Sequence, residues 1–315
     1  MIILIGRVND PHIIGICREL EKIDAHYNVL DVFMPQDTIK MHYSNGDISS
    51  YIRIHNKLID LNSVKSIWNY SPLEIRFESS LIEESKDFVH AEWSEGVKSL
   101  WYSIDSRWVN SPSAISGSGN RIKQLVFAHQ AGLDTPETIV TNDPNILVDF
   151  YHKHDSKIIT KTLASSKGIP RGKFIFTNIV KDQDIRFAST LKYSPCLFQE
   201  YIPKKTELRV TIIGESIFTA EIHSQSSSKT MHDWRNYDDF KKTPYIEIAL
   251  PSDISKKLIK LMRLLHLEFA CMDLIVTPDE EVFFLEVNSN GRWWWIQELT
   301  GMNITKAIAN YLDYV

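Results

Sequence analysis

Apolar runs alternate with helix-like segments at the start of the chain. Ile2–Ile5 is an apolar run, and Asp10 followed by Pro11 is typical of a helix start, with an N-cap carboxylate and a proline at the first helical position. Apolar residues then recur every three or four positions, and a second apolar run follows at Val29–Phe33. The order strand, helix, strand predicts a parallel α/β sheet. No GxGxxG pattern lies in the first connection, which argues against a dinucleotide-binding fold.

The next segments predict the rest of an N-terminal domain. The predicted elements are a hairpin of Lys40–Tyr43 and Ile48–Ile54 around Asn45-Gly46, a strand near Val64–Trp68, a long helix from about Glu78 to Ser103 and a short strand at Trp108-Val109. A Ser/Gly stretch from Ser116 to Gly119 then marks the first predicted boundary. Residues 1–117 are therefore expected to form an N-terminal α/β domain.

Residues 118–201 are predicted to form a central subdomain with a flexible loop. Its first expected elements are a helix from Asn120 to Ala131 closed by Gly132, a strand ending at Thr141, a helix starting at Asp143-Pro144, and strands at Lys157–Lys161 and Lys173–Thr177. The polar loop Thr162–Gly172 between the last two strands is a candidate flap over phosphates. Lys161, just before that loop, could reach an α- or β-phosphate as a point charge, or lie at the surface.

The remaining pattern predicts the last elements of the central subdomain and then a C-terminal subdomain, residues 202–315, with antiparallel strands. The expected elements are a helix at Asp182–Tyr193, strands at Cys196–Ile202, Glu207–Ile213 and Ser216–His223, a helix at Ser252–His266, strands at Ala270–Val276 and Val282–Val287, and a closing helix at Asn303–Tyr311. The polar stretch Ser224–Thr243 is long for a connection, and such loops are usually functional or disordered. The expected fold class is α/β with an added antiparallel part (α+β).

Composition and charge narrow the classes of function. The 315 residues carry a formal net charge of −5 and are 43% hydrophobic, as in ordinary folded proteins with more than one domain. This balance offers no broad cationic surface, and no apolar run is long enough for a membrane helix. Cys17, Cys196 and Cys271 show no metal-ligand or disulfide spacing. These features predict a cytoplasmic protein with reduced thiols and no nucleic-acid or membrane partner.

Two carboxylates are predicted to meet across the last two strands. If Pro278–Glu281 form the turn, symmetrical antiparallel pairing places Asp273 opposite Glu286, and Asn288 lies on the same strand face as Glu286. Apposed carboxylates are unfavourable without a cation, and hard oxygen ligands suit Mg²⁺ that also holds phosphates. The pattern indicates a nucleotide-linked Mg²⁺ site; the alternative is a hairpin whose acidic residues face water.

Further candidate nucleotide contacts precede this pair. The backbone of Glu200, Tyr201 and Ile202 could hydrogen-bond an adenine. Glu207 could accept hydrogen bonds from ribose hydroxyls, and Arg209 could hold transferring phosphoryl oxygens through its planar fork. The alternative for the last two residues is an ordinary cross-strand ion pair.

The order of these candidates resembles the nucleotide and metal motifs of the ATP-grasp superfamily. Within it, the chain is similar to the microviridin-type ligases, also called graspetide synthetases, over its whole length. The motifs that carry the closer resemblance are Trp108-Val-Asn-Ser-Pro112, Gln124-Leu125, Gly132-Leu-Asp-Thr-Pro136, Val140-Thr-Asn142, Gly291-Arg-Trp-Trp-Trp-Ile296 and Glu298-Leu-Thr-Gly301.

The resemblance implies an ATP-grasp fold behind a pre-ATP-grasp domain, with ATP and Mg²⁺ as cofactors. It also implies a ligase that phosphorylates acidic side chains of a ribosomally made precursor peptide, which Ser, Thr or Lys of the same peptide then attack to form ester or amide crosslinks. The family suggests a homodimer. The alternative is an ATP-grasp ligase that adds amino acids to a peptide or protein terminus. A nucleotide-binding regulator without turnover has no need to keep Arg209, Asp273, Glu286 and Asn288 together.

Two departures from the family pattern affect the predicted sites. Relatives carry Asn-Lys ahead of Gln-Leu, whereas this chain has Asn120-Arg-Ile-Lys123. The phosphate-binding cation is therefore Arg121, by alignment, or Lys123, by residue type. Trp68-Asn-Tyr-Ser71 stands where relatives commonly show Trp-Tyr-Arg-Arg.

The polar stretch His223–Asp239 resembles the region of the family that contacts the leader peptide. Acidic residues there are expected to pair with a basic leader helix, or to form a solvated turn. The candidate peptide contacts are Asp233, Asp238 and Asp239 for the leader, and His223 and Arg235 for the core peptide.

Overall fold

The structure is a computed structural model that describes residues 1–71, 73–77, 81–163, 177–226 and 244–314. It has the expected mixed α/β architecture, with a parallel sheet first and antiparallel sheets after it. Most of the predicted flap and the peptide-contact candidates Asp233, Arg235, Asp238 and Asp239 lie outside the described residues. Within the described ranges, no helix combines the length and the apolar character needed to cross a membrane.

The N-terminal part is built on a four-stranded parallel sheet. Its elements are β1 (Ile2–Ile5), α1 (Pro11–Lys22), β2 (Tyr27–Leu30), β3 (Val32–Phe33), β4 (Thr38–Ser44), β5 (Asp47–Ile54), β6 (Lys57–Asp60), β7 (Ser66–Asn69), β8 (Glu74–Ile75), α2 (Glu83–Ser103), β9 (Arg107–Val109) and α3 (Pro112–Ser118). The sheet has the strand order β2-β1-β7-β9, and β4, β5 and β6 form a separate antiparallel sheet that contains the predicted hairpin.

One prediction for this part is wrong in detail. Helix α2 begins at Glu83 rather than near Glu78. The predicted boundary at Ser116–Gly119 lies at the end of the short helix α3, which forms because the Ser111 hydroxyl accepts a hydrogen bond from the Ala114 N–H and Pro112 occupies the first helical position. A serine cap and a first-turn proline outweigh the low helix propensity of glycine in so short a helix.

The central part contains a four-stranded antiparallel sheet in the order β10-β13-β11-β12. Its elements are α4 (Arg121–Ala131), β10 (Thr138–Thr141), α5 (Pro144–Lys153), β11 (Ile158–Lys161), β12 (Asn178–Ile179), α6 (Asp182–Ile185) and β13 (Cys196–Glu200). The predicted single helix at Asp182–Tyr193 is wrong: Phe187 leaves helical geometry, and a 3₁₀ helix follows at Ala188–Tyr193. The segment buries only Ala188 and Leu191, which is too few apolar positions for a continuous helical face.

The C-terminal part is a five-stranded antiparallel sheet in the order β16-β15-β14-β17-β18. Its elements are β14 (Thr206–Ile213), β15 (Ser216–Ile222), β16 (Tyr245–Ile248), α7 (Ser252–Leu264), β17 (Phe269–Val276), β18 (Val282–Asn288), α8 (Trp294–Thr300) and α9 (Ile304–Asp313). Strand β16 and helix α8 are additional to the predicted elements. Leu208, Val210 and Ile212 of β14 pack with α4 and α7 on one face of this sheet.

The other face of the C-terminal sheet meets the N-terminal part at one end. Phe269 and Trp293 belong to the same buried cluster as Leu4 and Trp68. Helix α9 also ties to the parallel sheet, because the Ser66 hydroxyl donates to the Leu312 carbonyl oxygen over 2.6 Å. The remainder of that face is open to polar side chains, and the predicted site lies there.

Candidate active site

Three neighbouring strands place the predicted charged residues in one row. In β14, Leu208 and Val210 face the helices, so Arg209 between them faces the opposite way. Arg209 pairs with Asp273 on β17, and Asp273 pairs with Glu286 on β18. The predicted apposition of Asp273 and Glu286 is therefore present in the structure.

A β-bulge in β18 sets this register. The pairing runs from Val276 opposite Val282 to Leu274 opposite Phe284, and then shifts by one residue so that Asp273 lies opposite Glu286. The shift lets Phe284 enter the core on the helix face while Glu286, two residues later, faces the site. The turn between the two strands spans five residues, 277–281, one more than the four predicted. The one-residue shift at the bulge compensates for this difference, so Asp273 still lies opposite Glu286.

Asn288 continues the polar surface one row further along. It pairs with Cys271 on β17, which in turn pairs with Thr211 on β14. The Asn288 amide donates to Glu286 Oε1 over 3.3 Å, so the side chains of Asn288 and Glu286 meet. Burial raises the pKa of the Cys271 thiol, which keeps it neutral beside these charges.

The Arg209 guanidinium is almost fully buried in this row. Its Nη1 donates to Asp273 Oδ1 over 2.9 Å, and its Nη2 donates to the Arg292 carbonyl oxygen over 3.1 Å. Burial is the largest single influence and lowers the pKa of Arg209, but its anionic neighbours, Asp273 first among them, together outweigh burial and the net shift is upward. Its Nε is a buried donor without an acceptor among the described residues. Because buried donors are rarely left unpaired, Nε is suited to an acceptor oxygen of a bound substrate.

The two candidate cations at the start of α4 lie in different places. Arg121 Nη1 donates to Glu286 Oε2 over 2.5 Å, and Arg121 Nε donates to the Thr162 carbonyl oxygen at the base of the predicted flap. Lys123 Nζ instead lies 5.3 Å from the centre of the Phe127 ring, one helical turn along α4. The geometry therefore brings Arg121 to Glu286, whereas Lys123 lies against Phe127 and close to Gly117 of α3.

Gln124 holds the strand that carries Glu286 and Asn288. Its Nε2 donates to the Val287 carbonyl oxygen over 2.9 Å, and its Oε1 accepts from the Val287 N–H over 3.1 Å. A second bond from Nε2 reaches the Ser118 carbonyl oxygen over 2.6 Å. Because β18 is the last strand of its sheet, the buried amide of Gln124 pairs with the strand edge as another strand would. The Gln-Leu motif was recognised in the sequence, but its role was not.

Asn110 and Gly291 fix the turn that follows β18. Asn110 is 1% exposed, and its amide donates to the Ser289 and Phe269 carbonyl oxygens, each over 2.8 Å. A Cβ on Gly291 would lie 2.3 Å from the Cβ of Cys271 and 3.2 Å from Arg209 Nη2. Only glycine lets the chain approach this closely, and the approach brings the Arg292 carbonyl oxygen to Arg209.

The predicted nucleotide contacts of the central sheet lie on adjacent strands. Lys161 Nζ donates to Gln199 Oε1 over 3.0 Å. The Glu200 N–H donates to the Glu137 carbonyl oxygen and the Tyr201 N–H donates to that of Lys157. Adenine contacts from this stretch would therefore use its carbonyl oxygens and the Ile202 N–H.

The Glu200 side chain joins a separate group on the side of α5. His154 Nδ1 lies 3.5 Å from Glu200 Oε2, and His154 Nε2 lies 3.3 Å from Glu137 Oε2. These three side chains are close enough together to hold a metal ion, although Glu137 is exposed and also binds Lys153. Their position sets the Glu200 carboxylate apart from the row of Arg209.

Glu207 is buried at the edge of the site and has an ionic partner that sequence reasoning missed. Lys204 Nζ lies 2.6 Å from Glu207 Oε1, and both side chains are buried. Burial raises the pKa of Glu207, while Lys204 and a hydrogen bond with Ser224 oppose the rise. His223, just after β15, lies 3.5 Å from Glu221 Oε2 and is half-buried.

The donor set on β17 and β18 fits Mg²⁺. Asp273 and Glu286 supply carboxylate oxygens, Asn288 adds an amide, and all three face one side of the sheet. Hard oxygen ligands of this kind bind Mg²⁺ together with water and phosphate oxygens. Each carboxylate is here balanced by an arginine, Asp273 by Arg209 and Glu286 by Arg121. The fit to Mg²⁺ therefore rests on the type and placement of the three oxygen ligands, and not on an excess of negative charge.

Comparison with known proteins identifies the family. Residues 118–312 match the RimK-like ATP-grasp domain, and these residues contain the whole row of Arg209, Asp273 and Glu286. The chain belongs to the RimK-like ATP-grasp family. It is an ATP-dependent ligase with the ATP-grasp fold, as its sequence predicts.

Two solved structures resemble the chain over nearly its full length. A RiPP-associated ATP-grasp ligase of Chryseobacterium gregarium, in complex with ADP and a leader and core peptide, superposes with a TM-score of 0.90 at 26% identity, covering 99% of this chain and 96% of that one. The macrocyclase MdnC of Microcystis aeruginosa, bound with precursor peptide MdnA, superposes with a TM-score of 0.85 at 27% identity, covering 100% of both chains. A probable α-L-glutamate ligase of Shewanella baltica is 20% identical, covering 90% of this chain and 92% of the relative.

Proposed function

We propose that this RimK-like ATP-grasp ligase macrocyclises a ribosomally synthesised precursor peptide. It would join acidic side chains to Ser, Thr or Lys side chains of the same peptide through ester or amide crosslinks. The observation that carries the proposal is the row of Arg209, Asp273 and Glu286, in a chain similar over its full length to ligases solved with precursor peptides.

The residues around the row have distinct proposed roles towards ATP. Arg121, already at Glu286 and at the base of the flap, takes the phosphate role in preference to Lys123. Lys161 binds a second phosphate oxygen, and the stretch Glu200–Ile202 meets the adenine. Glu207 accepts from the ribose hydroxyls, with Lys204 balancing its charge.

Asp273, Glu286 and Asn288 would hold Mg²⁺, which supplies charge neutralisation at the phosphates. Arg209 has the catalytic role in phosphoryl transfer. Its Nη atoms are held by Asp273 and by the Arg292 carbonyl oxygen, so its orientation is fixed before substrate arrives. The Nε that has no acceptor among the described residues is then available to an oxygen of the transferring group.

The chemistry proceeds in two balanced steps. A side-chain carboxylate oxygen of the peptide attacks the γ-phosphorus of ATP, the bond to the β-phosphate oxygen breaks, and ADP leaves. A hydroxyl or amine of the same peptide then attacks the acyl carbon, loses its proton, and expels inorganic phosphate. The peptide loses one water for each crosslink. Exclusion of water protects the acyl phosphate, and the flap between β11 and β12 is proposed to provide it.

Other expectations remain part of this proposal. His223, Asp233, Arg235, Asp238 and Asp239 are proposed to contact the peptide. We also propose the division into residues 1–117, 118–201 and 202–315, a homodimeric assembly and a cytoplasmic location.

Mass spectrometry of candidate peptides tests the function. Short peptides rich in Ser, Thr, Asp and Glu that are encoded beside the gene would be incubated with the protein, ATP and Mg²⁺. Successive losses of one water, accompanied by ADP release, are expected, and base treatment then separates esters from amides. ATP consumption without any change in peptide mass would contradict the proposal.

A second candidate is the addition of amino acids to a peptide or protein terminus. The similarity to glutamate ligases favours it, including a glutamate–LysW ligase of Sulfurisphaera tokodaii that is 21% identical over 209 residues. Gains in peptide mass when free glutamate is supplied, without losses of water, would favour this candidate.

A further inference from the structure

A buried histidine of the N-terminal part contacts the segment between β18 and α8. His12, in the first turn of α1, is 6% exposed, and its Nδ1 lies 2.7 Å from Asp10 Oδ1. Its Nε2 lies 3.3 Å from the Trp293 backbone nitrogen and 3.2 Å from that of Trp294. These amides are 281 and 282 residues away along the chain, so the contact depends on the folded tertiary structure.

The hydrogen bonds determine the tautomer of His12. A backbone N–H can only donate, so Nε2 must accept from both amides and carries no proton. The single ring proton of neutral His12 is then on Nδ1, where it is donated to Asp10. Asp10 Oδ1 also accepts from the His12 backbone N–H over 2.8 Å as the N-cap of α1, so the carboxylate is held in place.

The peptide group that His12 holds also contacts Arg209. The N–H of Trp293 and the carbonyl of Arg292 belong to the same planar peptide group. His12 accepts from the N–H at one end, and the carbonyl oxygen at the other end accepts from Arg209 Nη2 over 3.1 Å. One rigid peptide group therefore connects the imidazole to the buried guanidinium.

We propose that neutral His12 is a positioning residue that fixes the Arg292–Trp293 peptide and thereby orients Arg209 towards the phosphoryl group, and that its protonation in acid releases this orientation. The proposal rests on the proposed role of Arg209. A proton on Nε2 would put a donor against two N–H donors and remove the acceptor that they share. The peptide group would then turn or shift, and the Arg209 contact with it.

The surroundings of His12 support a neutral ring at ordinary pH. The titratable and charged groups that face it in the described structure are Asp10 from the start of α1, Tyr70 from the end of β7, whose ring centre is 5.0 Å away, and Arg292 ahead of α8. Burial lowers the pKa of His12, Asp10 opposes this, and the Arg292 guanidinium adds to the lowering. Burial raises the pKa of Tyr70, so that ring stays neutral.

The direction of the pH effect follows from the lowered pKa. The folded-state pKa lies below the ordinary histidine value of about 6.5, so the neutral ring is the main form at and above that pH. Stability that depends on the neutral ring is lost as the pH falls through the folded-state pKa. Orientation of Arg209 is expected to be lost over the same range.

The test compares affinities for a non-hydrolysable ATP analogue and for ADP by isothermal titration calorimetry with Mg²⁺. His12→Phe keeps an aromatic ring against Tyr70 and Trp293 but has no acceptor. We expect it to bind the analogue about tenfold more weakly, as for a misplaced hydrogen bond to a charged group, and ADP as the parent does. The matched control is His26→Phe, the same change at an exposed histidine of the same part of the chain, which should leave both affinities unchanged.

His12→Gln provides the second arm, because glutamine offers an acceptor and a donor but does not titrate in this range. The parent should lose its preference for the analogue over ADP as the pH falls through the range in which His12 becomes protonated. His12→Gln should keep that preference over the same range. Nitrogen NMR of labelled histidine should find the His12 proton on Nδ1 at neutral pH.

An Nε2–H tautomer, the same loss of preference in acid for His12→Gln, or a folded His12→Phe with the parent's preference would each overturn the proposal. If His12→Phe does not fold, the pH dependence of His12→Gln and the tautomer still decide. None of these readouts requires a peptide, so their failure is distinguishable from a failure of peptide crosslinking.

Discussion

Replacing Gln124 by leucine should loosen the strand that carries Glu286 and Asn288. The substitution keeps the approximate volume and helix propensity of the side chain. It removes three hydrogen bonds, of 2.6, 2.9 and 3.1 Å, to the Ser118 carbonyl and to the carbonyl and N–H of Val287. Val287 lies between the two proposed metal ligands on the last strand of the sheet.

The size of the effect follows from the groups left unpaired. A buried backbone group without a partner costs about 1–3 kcal/mol, and we expect Gln124→Leu to lower the free energy of unfolding by about 2–4 kcal/mol because the strand edge can partly relax towards water. Mg²⁺ affinity should fall about tenfold or more, as is usual when a residue that orients metal ligands through hydrogen bonds is replaced. Gln130→Leu, at an exposed position of the same helix, is the matched control and should change neither quantity.

Urea unfolding gives the stability difference, and titration of Mg²⁺ into the protein with ADP gives the affinity. The proposed role of Gln124 is wrong if Gln124→Leu and Gln130→Leu show the same unfolding midpoint and the same Mg²⁺ affinity. A loss of stability without a change in Mg²⁺ affinity would restrict Gln124 to a structural role.

Three further substitutions test other parts of the site. Gly291→Ala should abolish turnover in an ADP-release assay, because the added Cβ would lie 2.3 Å from the Cβ of Cys271 and the turn would have to move away from Arg209. Gly119→Ala is the control and should keep the parent's activity, because the nearest neighbour of its added Cβ would be 3.6 Å away. Arg121→Met should weaken binding of a non-hydrolysable ATP analogue about tenfold and Lys123→Met should not, and equal losses in the two variants by calorimetry would count against Arg121 as the phosphate-binding cation. Glu286→Gln should lose Mg²⁺-dependent turnover while circular dichroism shows a folded protein, and melting as low as a core variant would count against the metal role.

Local signals predicted the starts of three helices and the end of one. Asp10, Asn120 and Asp143 are observed as N-caps whose side chains accept backbone hydrogen bonds at the expected helix starts. Gly132 ends α4 with a φ of 93°, the left-handed conformation that glycine adopts most readily. Each of these signals depends on residues within one helical turn, which a sequence contains in full.

The order of charged residues along the chain predicted that Arg209, Asp273 and Glu286 meet in one row, but not the irregular pairing that aligns them. The pairing of Asp273 with Glu286 could be derived from strand alternation and a short turn, although the bulge in β18 could not. The sequence contained one signal for the bulge. Phe284 and Glu286 are two residues apart, so a regular strand would place both on the same face, yet one is apolar and the other is charged.

Residues that hold the site in place were missed because their partners are distant along the chain. Gln124 bonds to a residue 163 positions away, and the amides that His12 accepts from are more than 280 positions away. A polar residue on a helix is usually solvated, so neither residue type nor spacing indicates burial against a distant strand edge. Family motifs marked the position of Gln124 without giving a physical reason for it.

Following heavy oxygen from the peptide to phosphate would test the central claim most directly. A precursor peptide with heavy-oxygen-labelled side-chain carboxylates would be incubated with the protein, unlabelled ATP and Mg²⁺, and both the peptide and the released phosphate would be weighed by mass spectrometry. The account predicts one labelled oxygen in phosphate for each crosslink, and a peptide whose mass has fallen by one labelled oxygen and two hydrogens per crosslink. Crosslinked peptide with unlabelled phosphate would contradict activation of the carboxylate as an acyl phosphate, and labelled phosphate with no crosslink would contradict macrocyclisation.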